Sequence, residues 1–310
     1  MVNTQSRDKR MRFFKLVKRD KYLLLMFLPI LAYYVLFHYI PMSGVIISFK
    51  EFVPGHGIYY GEWVGFKWFS QFLRSAYAWR LIRNAVLISV YYILFGFPLP
   101  IIFAVSLSEI GHSSVKRTLQ TVSYLPHFIS TVILVGMLKN MFAMDNGIVN
   151  ILIMKLGGEQ INFFQDPGWF RTLYVGSSVW QGFGWSSIIY ISAISGIDPT
   201  LYEAGEIDGI SRFGKALHIT LPMIIPTIVI LFIMELGGIM SVGFEKVFLM
   251  YNTATYETAD VIATYVYRKG IDDGQYSFSS SVGLFNSVIN FIMVFTANSI
   301  CKKTTGSSLW

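Results

Sequence analysis

Cysteine, charge and nucleotide-binding motifs are all scarce in this chain, and each scarcity excludes something. The single cysteine, Cys301, cannot close a disulfide within the chain, and no Cys/His cluster has metal-ligand spacing. Charged residues make up only 14% of the 310, against 54% hydrophobic and 16% aromatic, which excludes an ordinary soluble domain and defines an integral membrane protein. No Gly-x-x-x-x-Gly-Lys-[Ser/Thr] run occurs. Gly214-Lys215 is followed by Ala216, so the chain has no phosphate-cradling loop and cannot hydrolyse ATP itself. Neither Gly-x-Ser-x-Gly nor His-Glu-x-x-His is present, which leaves membrane-enzyme chemistry without a carrier. The net charge of +7 does not point to nucleic acid, because the basic residues lie beside apolar runs and are not interleaved with aromatics on an exposed segment.

What is abundant is apolar sequence. No Asp, Glu, Lys or Arg falls between Lys21 and Lys50, Arg83 and Glu109, Arg117 and Lys139, or Arg171 and Asp198; a fifth run follows His218 and a sixth lies between Asp273 and Lys302. A membrane helix needs about 20 mainly apolar residues. The pattern therefore predicts an all-α protein with six transmembrane helices, the first retained as a signal anchor. Arg7 to Lys21, Lys116, Arg117, Arg212, Lys215, Lys302 and Lys303 then share one side, which sets both termini in the cytoplasm. The expected organisation is a basic tail at 1–21, one transmembrane domain at 22–303 and a short tail at 304–310. In the first tail, Phe13, Phe14, Leu16 and Val17 suit an amphipathic segment on anionic lipid. No internal repeat and no separable soluble domain is visible.

The most informative stretch is the polar loop 198–222. Asp198 followed by Pro199 is an N-cap before a first-turn proline, and Gly209 is placed to end the helix in a left-handed turn. Ser211 can cap a second helix running to Pro222. Leu201, Ala204 and Ile207 recur every third residue, with Glu203 and Glu206 on another face. Asp198, Glu203, Glu206 and Asp208 outweigh Arg212, and an anionic leaflet would repel that face, so a basic groove on a protein partner is expected.

These residues resemble a family. Glu203-Ala204-Gly205, Gly209, Ile219 and Leu221-Pro222 are similar to the "EAA" loop of ABC-importer permeases, with Leu201-Tyr-Glu-Ala and Ile207-Asp-Gly resembling its carbohydrate branch; Gly205 stands where the family has alanine. The resemblance covers 22–303. It implies the type I importer fold and a coupling role for Glu203, Ala204, Gly205, Asp208, Gly209, Ile219, Leu221 and Pro222. It also implies a second homologous permease, two cytoplasmic ATPase subunits that bind ATP-Mg, and an extracytoplasmic solute-binding protein, with this chain in the bacterial cytoplasmic membrane and without a cofactor. Phe37-His-Tyr-Ile-Pro-Met and Val242-Gly-Phe-Glu-Lys-Val-Phe-Leu-Met-Tyr-Asn look closest to the branch for complex, often acidic oligosaccharides such as those of pectin or alginate. The alternatives are a permease for peptide, phosphate or amino acid, and a membrane interaction protein with no transport cycle.

Candidates for the solute path are Gln181, Trp185 and Glu235. Gln181 between Trp180 and Trp185 suits either a sugar-lined cavity or close packing through Gly182 and Gly184. Glu235 falls near the middle of the fifth run, where an acid faces a cavity or a partner. Pro98, Pro100 and Pro126 break spans two and three, and His127 is read as a polar group bonded across a helix interface in preference to a proton relay. Asn146-Gly147-Ile-Val-Asn150 resembles a family segment facing the binding protein, and the acidic 243–275 reads as a solvated outer loop. The aromatics of 49–79 read as an interfacial belt.

Overall fold

The computed structural model describes residues 19–309. The lipid-surface expectation for Phe13 to Val17 lies outside the described residues. The chain divides into two compact units, residues 1–67 and 68–310. In the first, α1 (Lys21–Tyr34) continues through a π turn and a 3-10 turn into one 29-residue helical run, Lys21–Phe49. Lys50 then bridges Trp63, and Lys67 pairs with Glu51 at 3.0 Å.

The second unit is helical throughout. Its first long helix, α2 (Ala76–Gly96), starts where the Ser75 hydroxyl accepts from the Ala78 N–H, satisfying one of the four donors a helix start leaves open. Pro98 and Pro100 fall in the first turn of α3 (Pro98–Ser108), where a missing N–H removes no helical bond. The third expected span is broken: α4 (Ser113–Tyr124) and α5 (Thr131–Met141) meet at 96° across a 3-10 turn that contains Pro126. After a short helix at Ile148–Lys155 come α6 (Pro167–Ser195), α7 (Pro199–Ile207), α8 (Arg212–Lys215), α9 (Leu221–Leu236) and α10 (Phe244–Met250), then short helices at Tyr256–Ala259 and Ile262–Tyr267, and last α11 (Tyr276–Thr305). Among the described residues four runs, Lys21–Phe49, Ala76–Ser108, Arg212–Leu236 and Tyr276–Thr305, are long and apolar enough to cross a membrane, or five with the bent pair. The 29 residues of α6 give it ample length, about 43 Å at 1.5 Å per residue, but its serines, glycines and Gln181 make it more polar.

That polarity suits the position of α6, which packs on α2, α3, α4 and α9. Lipid is as apolar as leucine, so helices in a membrane associate through close packing and hydrogen bonds. Gly184 is buried with no room for a Cβ, which would strike the Ser123 carbonyl of α4. Ala104, Tyr190, Ile194, Ile197 and Ile224 join α3, α6 and α9 into one buried cluster.

The segment 243–275 corrects an expectation. It is not a solvated loop: Val247, Met250, Val261 and Ile262 belong to the largest core cluster, and Asp260 is 0% exposed. Asn150 is likewise buried, donating to the carbonyls of Ala143 and Ile161 and accepting from the Ile161 N–H at 2.9 Å. Its role in this fold is to staple its own loop.

Candidate functional site

The loop 198–222 forms a helix, a tight turn and a second helix. The Asp198 carboxylate accepts from the Thr200 N–H at 3.0 Å, which holds that carboxyl below its usual range. At the far end, Ile210 N–H donates to the Gly205 carbonyl (2.8 Å) and Gly209 N–H to the Glu206 carbonyl (3.1 Å), while Gly209 adopts φ +72°. This pair of bonds is a Schellman closure, which requires a left-handed residue and hence glycine. Ser211 then caps α8 by accepting from the Gly214 N–H at 3.2 Å. The chain passes through a π turn, Ala216–Thr220, into α9, where Leu221 and Pro222 take the first positions.

Two contacts that sequence reasoning missed fix α7. Tyr202 packs against the cluster around Tyr190 and Ile224, and its hydroxyl lies 3.0 Å from Thr220 Oγ1. The buried Gly205 faces Ile219: a Cβ there would come within 3.0 Å of Ile219 Cδ1. Glycine in place of alanine thus lets the helix lie closer to the second half of the loop. The inward face is therefore Tyr202 and Gly205, and the stripe Leu201, Ala204 and Ile207 points outward, with Ile207 88% exposed. The three-residue periodicity of the stripe did not say which face of the helix meets the bundle. The only early signal was the tyrosine inside an acidic stretch.

The charges redistribute as well. Lys215 donates to Glu206 at 2.6 Å and holds its carboxyl below the ordinary glutamate range. Glu203 and Asp208 remain exposed, flanking the outward apolar stripe. Beside the loop, Val105, Glu109, Arg212, Phe213 and Leu217 line a mainly apolar groove of about 480 Å³.

Farther along the helices lie two cavities. The larger, about 560 Å³, is bounded by Tyr92, Pro100, Trp185, Ser186, Tyr190 and Glu235. The smaller, about 280 Å³, is bounded by Ser89, Tyr92, Tyr174, Ser178, Glu235 and Ser241. Aromatic walls with a few convergent polar groups are the usual makeup of a small-molecule site. Glu235 borders both, and Trp185 borders the larger while stacking on His127 (4.5 Å between centroids, 2° between planes). Gln181 borders neither. Its amide donates to the Ile129 carbonyl at 2.7 Å, at the break between α4 and α5, where the interrupted helix leaves that acceptor open. Tyr92 and Tyr190, absent from the sequence-based candidates, supply much of the wall; nothing in their local sequence separates them from other span aromatics.

An all-helical membrane component, with a polar helix-turn-helix loop between apolar runs and cavities between its helices, has the form of a transport subunit. The profile of the family described as "Binding-protein-dependent transport system inner membrane component" matches residues 96–301, and the chain belongs to that family. It is 44% identical to protein LplB of Bacillus subtilis (strain 168) over 287 residues, covering 93% of this chain and 90% of that one. It is 40% identical to the polygalacturonan/rhamnogalacturonan transport system permease protein YteP of the same organism, covering 96% and 92%. Among solved structures, a chain of a bacterial alginate ABC transporter, in complex with an alginate pentasaccharide-bound periplasmic protein, superposes with a TM-score of 0.88 at 37% identity. That match covers 96% of this chain and 100% of the other. The chain is a permease subunit and not the ATPase of such a system.

Proposed function

We propose that this chain is one of two permease subunits of an ATP-driven importer that receives acidic oligosaccharides from an extracytoplasmic binding protein. In this reading the chain crosses the cytoplasmic membrane six times, with α6 and the α4–α5 pair among the spans, and both termini face the cytoplasm. The loop 198–222 lies there too and docks on an ATPase subunit through Leu201, Glu203, Ala204, Ile207 and Asp208. The observation that carries the reading is the outward stripe of α7: apolar residues stand exposed beside the exposed acids Glu203 and Asp208, while Tyr202 and Gly205 hold the helix against the bundle. A force applied to α7 then reaches α9, and with it Glu235, through Thr220 and Ile219. A nucleotide-driven closure acts on the permease only through contacts that differ between its states, so a firmly anchored helix is what the mechanism needs. Alternating access would open the cavities of Trp185, Tyr190 and Glu235 first outward and then inward. The acidic solute class rests on relatives named for polygalacturonan and for alginate.

The test is reconstitution of the chain with its partner permease, ATPase and binding protein in liposomes. ATP-dependent uptake of an oligogalacturonate, accompanied by binding-protein-stimulated ATP hydrolysis, is expected. Uptake of only a peptide, phosphate or an amino acid would overturn the solute class, and absence of any copurifying ATPase would overturn the importer reading.

A further inference from the structure

A buried lysine stands behind the wall of the smaller cavity. Lys246 on α10 is 7% exposed, and its ammonium donates to Ser178 Oγ at 2.7 Å and to the Tyr174 carbonyl at 3.2 Å. The Tyr174 ring centroid lies 5.0 Å from Nζ. Ser178, Tyr174 and Gly243, the last one turn before Lys246, all border the cavity. No carboxylate lies within 4.0 Å of this ammonium among the described residues.

That is an unusual state for a buried cation. An ammonium carries three donors, and here two are directed to neutral oxygens. Burying a charge without an opposite charge is costly, and a lysine kept only for packing would be better replaced by an apolar residue. The contrast within this protein is Asp260, a buried acid that two arginines neutralise. Burial pushes the Lys246 ammonium down to about 7, so the group can shed its charge when the site is empty and hold it when an anion arrives.

We propose that Lys246, acting with the Ser178 hydroxyl, recognises the carboxylate of an acidic sugar residue in the smaller cavity and so sets the preference of the pathway for acidic oligosaccharides. The inference rests on the importer reading above. The Ser178 hydroxyl borders the open space, accepts from Lys246 and donates its one proton to the Tyr174 carbonyl at 2.8 Å; a rotation about χ1 would turn that proton to a sugar carboxylate while Lys246 directs its third donor there. Glu235 and Tyr92 border the same cavity and offer oxygens to sugar hydroxyls. A uronate would therefore enter with its carboxylate toward α10 and its hydroxyls toward Glu235.

The complete importer in proteoliposomes tests this with two probes, a galacturonate trisaccharide and its fully methyl-esterified form. Lys246→Met should lower import of the acidic trisaccharide about tenfold, the size of one lost charge-assisted hydrogen bond. Import of the neutral ester and stimulation of ATP hydrolysis by the loaded binding protein should stay within about twofold. Lys246→Arg should restore most of the acidic import. Unchanged acidic import in the Met variant would overturn the proposal, as would an equal fall for both probes together with ATP hydrolysis, which marks a purely structural lysine. Import of neutral probes alone by the parent would overturn it while leaving the importer reading intact, and no ATP-dependent import of either probe would sink that reading first.

Discussion

Two acidic segments of this chain, 198–222 and 243–275, look alike in sequence and do opposite things with their charge. In the first, Glu203 and Asp208 stay in solvent beside exposed Leu201 and Ile207, and Glu206, paired with a mostly covered Lys215, keeps 68% of its own side chain exposed. In the second, Asp260 is fully buried and reached by Arg268 at 2.7 Å and Arg80 at 3.4 Å, while Thr264 donates to its other oxygen at 2.9 Å. The Asn84 amide donates to the Asp260 and Glu257 carbonyls at 2.9 Å, tying the middle of α2 to the same knot. One segment completes the fold and the other presents a surface. A run of acids between apolar stretches is compatible with either, because beside the nearby Arg268 the partners that bury Asp260 include Arg80 and Asn84, 180 and 176 positions away.

The comparison predicts unequal costs, and the largest should come from the buried acid. Asp260→Ala leaves two arginines facing each other without a counter-charge, and breaking a buried pair this way costs roughly 3–5 kcal/mol. Thermal unfolding of the detergent-purified complex should show it as a large drop in midpoint and yield. A variant as stable as the parent would mean that the knot does not hold the fold.

Gly209→Val comes next. A β-branched residue resists φ +72°, at roughly 1–2 kcal/mol for the left-handed conformation, so the Schellman closure should distort. Because nothing packs on that glycine, membrane assembly should survive while binding-protein-stimulated ATP hydrolysis is lost. Parental hydrolysis rates in the variant would show that the turn is not needed for coupling.

The smallest effects belong to the exposed acids, and they should differ from each other. Glu203→Lys should weaken copurification of the ATPase more than Glu203→Ala, since reversal adds repulsion where truncation only removes attraction. Glu206→Ala should matter less for stability, because an ion pair whose carboxylate stands in solvent contributes little. The Glu206 carboxyl is held low by Lys215, so its contribution is present above the unfolded-state value and fades as pH falls through the lower folded-state value. Identical copurification of the Lys and Ala variants at position 203 would argue against an acidic helix in a basic groove.

Much of this protein was readable from its residues because the signals are local. Charge-free runs mark helices, Asp198-Pro199 and Ser211 mark starts, and Gly209 marks a left-handed stop; each depends on backbone chemistry within a few positions. The same locality exposed the missing nucleotide loop and carried the resemblance to importer permeases. Only the tertiary structure decided which neighbours the polar groups would find. It turned the Leu201 stripe outward, assigned Gln181 to the Ile129 carbonyl, sank Asp260 between two arginines and left Lys246 with none. The physical reason is that a buried polar group must be satisfied by whatever the fold brings to it, and in a bundle those partners arrive from helices far apart along the chain.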